Sequence, residues 1–444
     1  MIQSKGKKLI DRNKRQDLKF HKMDRKRRQI LKLSGLAAFG ISSNTDLRGS
    51  SSLILPELKE ANFVEPKLSI IGKYGEWATQ LRGKQLPKLS FRNSKFNDLK
   101  AWQKVAKNQT IERMAIPEIA GLPKVTVVET LTYDGLHIEK LTWQLPYGRP
   151  TEAILLKPLN AKGKLPAVLG FHDHGGDKYF GTQKITKTSD VQHPLMIKGQ
   201  EISYEGTAWA NELAKRGYVV LVSDAFAFGS RRVMMEDIPK ENRGGLTDQD
   251  PENPENIRAY NDWANSHEQT MSRSLFSAGT SWPGVFFAED KKALDVLCAR
   301  EDVDNQRIGC CGLSGGGLRT VFMGGLDARI KCAIPVGFMT TWNDFALNKS
   351  FTHTWMTYVP LLPNELDFPE ILGLRTPLPT LVLNDIDDNL FTLSEMEKAS
   401  EILKEIYKKV GAEDKYKCSF HPGPHKFDKK MQAEAFDWFD KWLK

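Results

Sequence analysis

The 444-residue sequence has few cysteines, no long apolar run and no internal repeat. Its five cysteines form no Cys-x-x-Cys pair, which excludes a disulfide scaffold and leaves no spacing typical of a zinc site. No stretch of about 18 apolar residues occurs, so a conventional transmembrane helix is excluded. Hydrophobic residues at 40% and charged residues at 27% are instead typical of a globular protein with a large core.

An excess of one charge sign is confined to the beginning of the chain. Residues 1–44 carry 13 of the 64 Lys and Arg residues but only 3 of the 55 Asp and Glu residues. The remaining 400 residues therefore carry 51 basic and 52 acidic side chains. The net charge of +9 describes a leader, and it gives no reason to predict nucleic acid as a partner of the rest of the chain.

The leader resembles a bacterial twin-arginine export signal. Arg27 and Arg28 are followed by Gln-Ile-Leu-Lys and by a short, weakly apolar stretch at residues 33–41. The resemblance implies recognition by the export machinery and a periplasmic or extracellular location. The alternative is the basic tail of a cytoplasmic protein. Either Met1 or Met23 can serve as the start, and no Ala-x-Ala cleavage site follows.

The pattern of apolar residues divides the rest of the chain. Residues 45–117 are predicted to be an N-terminal extension, with a linker and one helix over 91–116, and residues 118–444 the main domain. The strands of the main domain are predicted at residues 125–133, 138–144, 152–156, 166–171, 218–223, 307–311, 331–336, 379–383 and 416–420. Helices alternate with the later strands. This alternation predicts an α/β fold with a doubly wound, mostly parallel sheet and helices on both faces.

Two long segments, residues 226–283 and 340–376, interrupt the alternation. Both are rich in Asn, Asp, Trp and Pro, and both are too long to be simple connections. We predict that they form a cap over the ends of the strands and determine the choice of substrate.

A glycine-rich turn at residues 312–316 contains a candidate nucleophile. The sequence Gly-Leu-Ser-Gly-Gly follows a predicted strand and precedes a stretch of small residues that can begin a helix. Glycines on both sides of Ser314 allow a sharp turn that projects the hydroxyl above the sheet, and the helix N-terminus favours developing negative charge. The pattern predicts a nucleophilic serine.

A base and an acid follow the serine in the order that such a triad requires. His425 lies in Pro-Gly-Pro-His-Lys-Phe, between the last strand and the last helix, and is the predicted base, whereas His421 ends the strand and is predicted to be structural. Asp388 is our first choice for the acid because it lies furthest into its loop. Asp385 and Asp387 remain alternatives, and one of these aspartates is a candidate cap of the next helix.

An oxyanion hole requires two backbone N–H groups. One is predicted to come from Gly315 and the other from Asp173, His174 or Gly175, in the loop directly after the fourth strand. His172 and His174 have a spacing that a metal site can use, but no third ligand follows at a recognisable spacing. We predict neither a metal nor a cofactor, and we expect the histidines to shape the loop through hydrogen bonds.

Five segments carry a resemblance to a known family. They are His-Asp-His-Gly-Gly at 172–176, Ser-Asp-Ala-Phe-Ala-Phe-Gly-Ser-Arg-Arg at 223–232, Val-Asp-Asn-Gln-Arg-Ile-Gly at 303–309, the acidic loop at 384–391 and Gly-Pro-His-Lys-Phe at 423–427. With them, residues from about 90 to 444 resemble the bacterial α/β-hydrolases grouped around acetyl xylan esterase and dienelactone hydrolase. The resemblance implies the α/β-hydrolase fold and a Ser–acid–His triad. Asp385 stands where this family commonly has glycine, and the serine is not followed by the arginine found in glucuronoyl esterases.

Four further side chains are candidates for binding the substrate. Arg231 and Arg232 can bind a carboxylate or sugar hydroxyls, and the alternative for them is a salt bridge to acids at residues 236–255, in the first insertion. Trp282 and Trp342 can stack on a sugar ring, and the alternative for them is packing between cap and core.

Together these patterns predict a serine hydrolase that cleaves an ester, with an acylated carbohydrate or a related small ester as substrate. A peptidase, an amide hydrolase or a lactone hydrolase on the same fold remains an alternative. A non-catalytic binding protein on a hydrolase scaffold is a further alternative, but it would not need a complete triad. The oligomeric state does not follow from the sequence.

Overall fold

The computed structural model describes residues 68–81 and 85–444. The leader at residues 1–44, with its twin-arginine-like segment, and the first part of the linker lie outside the described residues. Within the described residues, no helix is both long and apolar enough to cross a membrane.

A nine-stranded sheet organises the described chain. The strands are β1 (Thr126–Tyr133), β2 (Leu136–Trp143), β3 (Thr151–Pro158), β4 (Leu165–Phe171), β5 (Val219–Ser223), β6 (Val303–Leu313), β7 (Ile330–Val336), β8 (Thr380–Asp385) and β9 (Tyr416–His421). Their order in the sheet is β1-β2-β3-β5-β4-β6-β7-β8-β9. The pairs among β1, β2, β3 and β5 are antiparallel, whereas all pairs from β5 to β9 are parallel. The predicted mostly parallel sheet is confirmed.

The strand order places a crevice at the carboxyl ends of β4 and β6. From β4 the chain runs to β5 on one side, and it then crosses over β4 to reach β6 on the other side. Ligand sites of open α/β sheets lie at such a reversal, outside the carboxyl ends of the strands, because the loops there diverge to opposite faces. The loop after β4 and the serine-containing turn after β6 both begin at this point.

Both faces of the central parallel strands, such as β4 and β5, are buried, as their continuous apolar runs require. In β4, Leu169 belongs to one apolar core and its neighbour Val168 to the other, and Leu221 and Val220 divide in the same way in β5. This alternation follows from the two-residue period of a strand. Strand β1 forms the edge of the sheet and is largely exposed.

Helices pack on both faces of this sheet and also lie in the segments outside it. They are α1 (Tyr74–Leu81), α2 (Leu99–Met114), α3 (Pro194–Tyr204), α4 (Trp209–Lys215), α5 (Pro254–Ser277), α6 (Trp282–Cys298), α7 (Gly315–Leu326), α8 (Phe368–Gly373), α9 (Leu393–Lys409) and α10 (Lys429–Leu443). Helix α2 begins later than the predicted residue 91, because the Asp98 side chain accepts a hydrogen bond from the N–H of Ala101 and caps the first turn. Helix α1 lies in a segment that was predicted as linker.

The two predicted insertions are folded against the domain. The first contains 3₁₀ turns and α5, whose N-terminus is capped by the side chain of Asn253. Helix α6 begins at the end of the predicted first insertion and is almost wholly buried. The second contains a π-helical segment, Phe345–Lys349, several 3₁₀ turns and α8.

Candidate active site

The turn between β6 and α7 holds Ser314 in a strained conformation, with φ 58° and ψ −119°. A Cβ atom at Gly312 or Gly316 would lie 2.4 or 2.3 Å from the carbonyl oxygen of Phe171, so both positions require glycine. The N–H of Ser314 donates to the carbonyl oxygen of Val336 at 2.9 Å, which ties the turn to β7. Such strain is retained where a tight turn must project a side chain above the sheet, and Ser314 is partly exposed.

The loop after β4 packs directly against this turn. A Cβ atom on Gly315 would lie 3.0 Å from the backbone nitrogen of His174. In the described part of the chain, the N–H groups of His174 and Gly315 donate to no protein acceptor. Two free N–H donors therefore lie next to the serine, one of them at the N-terminus of α7, where a developing negative charge is stabilised. Of the three predicted loop donors, His174 is the one whose backbone nitrogen contacts Gly315.

His425 and Asp388 form a short polar contact at this edge of the sheet. Nδ1 of His425 lies 2.6 Å from Oδ2 of Asp388, whose side chain is fully buried. The second carboxylate oxygen of Asp388 accepts a hydrogen bond from the N–H of Leu390 at 2.9 Å. The ring also packs on Gly337, where a Cβ atom would lie 2.8 Å from Cε1 of His425. Because Gly337 follows Val336, the ring lies beside the strand end that holds the serine turn.

The other nitrogen of this ring, Nε2, has no hydrogen-bond partner within the described residues. No hydrogen bond joins it to Ser314 Oγ in this part of the chain. Contacts between a nucleophile and its base are commonly long without substrate, so this gap does not argue against the pair.

Asp385 and Asp387 make different contacts from Asp388. Oδ2 of Asp385 accepts a hydrogen bond from the N–H of Lys426 at 3.1 Å, and the exposed Asp387 accepts one from the N–H of Gly423 at 3.0 Å. Neither caps the next helix: α9 follows Thr392, whose own N–H donates to Asp344. The suggestion that one aspartate of this loop caps the helix is therefore wrong.

His421 lies apart from this contact. Its Nε2 is 2.9 Å from Glu434 of α10, and the ring is buried. This agrees with the structural role that its position at the strand end predicted.

The comparison with known proteins decides the family. Residues 69–409 match the model of the Abhydrolase family. The chain belongs to this family. A curated relative, YtaP of Bacillus subtilis (strain 168), is named as a hydrolase and is 26% identical over 320 residues, which cover 71% of this chain and 92% of YtaP.

Solved structures share the fold of this Abhydrolase-family chain at low identity. A Bacteroides fragilis protein named as an acetyl xylan esterase aligns with a TM-score of 0.57 and 19% identity, over 79% of this chain and 82% of its own. A glucuronoyl esterase from Solibacter usitatus aligns with a TM-score of 0.57 and 14% identity, over 81% of this chain and 98% of its own. The predicted α/β-hydrolase fold is confirmed.

The two histidines of the loop after β4 are held by hydrogen bonds in this Abhydrolase-family structure. His172 contacts the carbonyl oxygen of Asp173 through Nδ1 at 3.0 Å and accepts from the N–H of Ala225 through Nε2 at 3.3 Å. Nδ1 of His174 accepts from the N–H of Gly176 at 2.9 Å. Burial lowers the pKa of His172 well below its usual range, so its ring is neutral. Both rings shape the loop, as predicted.

A buried lysine from outside the predicted site also holds this loop. Nζ of Lys184 donates to the carbonyl oxygens of Asp173 and His174 at 2.9 and 2.8 Å. The carboxylate of Asp173 in turn accepts a hydrogen bond from the hydroxyl of Tyr204 at 2.5 Å. Lys184 lies ten residues beyond the loop in a stretch without a recognisable motif, so the sequence carried no signal for it.

A second buried lysine connects the loop to the first insertion. Lys178 forms an ion pair with Glu268 of α5 and donates to Oδ1 of Asn265 at 2.6 Å. Glu268 also contacts Nε2 of His174 at 2.8 Å. Asn265 and Glu268 lie one helical turn apart, so a single face of α5 contacts the loop after β4. The first insertion is thus joined to the residues beside Ser314.

The predicted substrate-binding role of Arg231 is corrected by its surroundings. The side chain is buried, and its guanidinium donates to Glu289 at 2.6 Å and to the carbonyl oxygens of Tyr147 and Arg149. A guanidinium held on these sides by protein is not available to a ligand. Arg232 donates to the carbonyl oxygen of Gly229, and its guanidinium lies 4.4 Å from the ring centre of Tyr179.

The predicted stacking of Trp282 and Trp342 on a sugar ring is also corrected. Trp282 is 1% exposed and packs edge-on against Phe226, and Trp342 is 4% exposed and packs against Phe368. Neither ring presents an open face for stacking. Their positions correspond to the alternative prediction of packing between cap and core.

The residues around His425 do not require a metal. Asp385, Asp388 and His425 each bring one polar atom to within 4.8 Å of the others. Asp388 and His425 already satisfy each other through the 2.6 Å contact. We therefore assign the contact between Asp388 and His425 to a hydrogen bond.

Proposed function

We propose that the protein is a serine hydrolase of carboxylic esters, with Ser314 as nucleophile, His425 as base and Asp388 as the acid that orients it. The observation that carries the proposal is the 2.6 Å contact between His425 and the buried Asp388, at the sheet edge where Ser314 occupies a strained turn. A buried carboxylate that holds Nδ1–H leaves Nε2 as the basic nitrogen, which is the tautomer that a general base needs.

The proposed reaction proceeds in two halves. Oγ of Ser314 attacks the acyl carbon while its proton passes to Nε2 of His425, and the N–H groups of Gly315 and His174 stabilise the oxyanion. The ester C–O bond then breaks, and the alcohol leaves with the proton from His425. Water, activated by the same nitrogen, hydrolyses the acyl-enzyme and regenerates the serine. No cofactor enters these steps.

As substrate we propose an acylated carbohydrate or a related small ester. The support is the family resemblance of the loop and turn motifs, together with the shared fold of proteins named as acetyl xylan esterase and glucuronoyl esterase. Gly315 follows the serine where glucuronoyl esterases have an arginine, which favours an acyl ester over a glucuronoyl ester.

The test combines labelling with a substrate panel. A fluorophosphonate probe should label the wild-type protein and fail to label Ser314→Ala, and the same variant should lose hydrolysis of p-nitrophenyl acetate. The panel compares acetylated sugars, aryl esters, lactones and peptide amides. Near-wild-type activity of Ser314→Ala would overturn the nucleophile, and preferred cleavage of amides or lactones would replace the ester assignment.

We further propose that the leader directs export through the twin-arginine machinery. The support is the Arg27-Arg28 pair ahead of a weakly apolar stretch, in a segment that holds the whole charge excess. Replacing both arginines by lysine preserves the charge and should retain the protein in the cytoplasm. Unchanged fractionation of this variant would contradict the proposal.

A further inference from the structure

A second buried carboxylate, Asp385, lies beside the His425–Asp388 contact. Asp385 is the last residue of β8 and is 0% exposed. Its Oδ2 accepts the Lys426 N–H, but its buried Oδ1 has no hydrogen-bond partner within the described residues. A carboxylate oxygen of Asp385 lies within 4.8 Å of polar atoms of both Asp388 and His425. Within the described residues, the carboxylate accepts one backbone hydrogen bond, from Lys426.

The ionisable groups around Asp385 come from three segments. Asp388 lies on the same loop, and His425 and Lys426 lie on the loop after β9. The charge of Lys426 is engaged elsewhere, because its Nζ lies 2.8 Å from Asp428. From the second insertion, His353 approaches Asp388 and His425, but burial lowers its pKa to about 4 and the ring is neutral at pH 7.

This environment disfavours the ionised form of Asp385. Burial raises the pKa of Asp385 to about 7, and the negative charge of Asp388 acts in the same direction. The side chain therefore changes charge in the pH range in which a histidine base becomes active.

We propose that Asp385 is a positioning residue that holds the His425 loop through the Lys426 N–H and sets the pH dependence of the His425 base. The inference rests on the proposed serine-hydrolase function. Ionised Asp385 places a second negative charge beside the imidazole and stabilises the imidazolium, which cannot accept the serine proton. Protonated Asp385 keeps the loop contact through its carboxyl oxygen without adding that charge.

Two interacting groups titrate together, so neither gives a simple curve. As the pH falls, Asp385 binds a proton, and the loss of its negative charge removes part of the electrostatic stabilisation of an imidazolium at His425. The acidic limb of kcat/KM should therefore be broader than the titration of one proton. Without the Asp385 charge, the acidic limb of the kcat/KM profile should follow the titration of a single proton. Its midpoint should lie at lower pH.

The experiment measures kcat/KM for p-nitrophenyl acetate from pH 5 to pH 9 in the wild type, Asp385→Asn and Asp387→Asn. Asparagine can still accept the Lys426 N–H, so Asp385→Asn should move the midpoint of the acidic limb down by about half to one pH unit and narrow it. KM should change by less than about twofold. Asp387→Asn is the matched control, because Asp387 is exposed and also accepts a backbone N–H, and its profile should superpose on the wild type.

Each outcome has one meaning. A profile of Asp385→Asn that superposes on the wild type, or a shift shared equally by Asp387→Asn, would overturn the role of Asp385 while leaving the triad intact. Loss of activity at every pH in a folded Asp385→Asn protein would instead identify Asp385 as the orienting acid. Retained activity of Ser314→Ala would contradict the proposed function independently of either result.

Discussion

The loops at the carboxyl end of the sheet and the two insertions are held by different forces. The loop after β8 and the loop after β9 are joined by short contacts of buried carboxylates, from Asp388 to the ring of His425 and from Asp385 to the N–H of Lys426. The insertions are held by buried side chains that pack or pair with one another, such as Arg231 with Glu289 and Trp342 with Phe368. The geometry of the candidate site thus depends on loops that follow adjacent strands, whereas the insertions depend on packing.

The largest effect is expected when the contact between Asp388 and His425 is broken. Asp388→Asn keeps the size of the side chain but no longer favours the Nδ1–H tautomer of His425, so kcat for p-nitrophenyl acetate should fall by about 10²- to 10⁴-fold. Steady-state kinetics measure the loss, and circular dichroism verifies the fold. Asp387→Asn should remain within about twofold of the wild type. A larger loss in Asp387→Asn than in Asp388→Asn would show that the wrong carboxylate has been assigned to the histidine.

The second prediction concerns the insertions and should affect stability more than chemistry. Arg231→Met leaves Glu289 buried without its partner, which should lower the free energy of unfolding by about 3–5 kcal/mol. The double variant Arg231→Met/Glu289→Met should recover much of that loss, because two apolar side chains then fill the same space. Urea denaturation measures both.

The kinetics of the double variant then separate the two roles of Arg231. If the guanidinium served only the fold, KM of the folded double variant should equal that of the wild type. A tenfold rise in KM with little loss of stability would restore the substrate-binding role predicted from the sequence.

The difference between the loops at the carboxyl end of the sheet and the two insertions also explains which features the sequence could predict. Strand positions followed from apolar runs, and Ser314 from the glycines that its turn requires. The preference for Asp388 over Asp385 rested on distance into the loop, but which aspartate reaches the histidine depends on how the loop after β9 lies against it. Lys184 and Glu268 reach the loop beside the serine from 10 and 94 residues away, and no local pattern marks such contacts.

A third prediction tests whether water reaches the carboxylate of Asp385, at the start of the loop after β8. An unfolded aspartate has a pKa of about 3.9, and the folded value is about 7, so the folded state binds the proton more tightly. The stabilisation is fully present below about pH 4 and is lost as the pH rises through 7. Asp385→Asn removes this dependence, so relative to the wild type it should gain about 1–3 kcal/mol of stability between pH 5 and pH 8.

Urea denaturation of both proteins at pH 5 and pH 8 measures this gain, and Asp387→Asn again serves as the control. An equal difference between Asp385→Asn and the wild type at both pH values would mean that water reaches the carboxylate, in which case the loops are less tightly closed than the structure indicates.

The smallest expected effect concerns the aromatic side chains of the insertions that are not buried. Trp355 is 40% exposed and Trp342 is 4% exposed, so of these two side chains Trp355 is the one that a sugar ring can contact. Trp355→Ala should lower kcat/KM for an acetylated sugar relative to p-nitrophenyl acetate by about 2- to 10-fold, which corresponds to the roughly 0.5–1.5 kcal/mol of an aromatic contact. Trp342→Phe should instead lower stability and leave the ratio of the two substrates unchanged. If Trp355→Ala lowered both activities equally, the exposed ring would be structural as well, and substrate selection would then depend on the polar face of α5 that grips the loop beside Ser314.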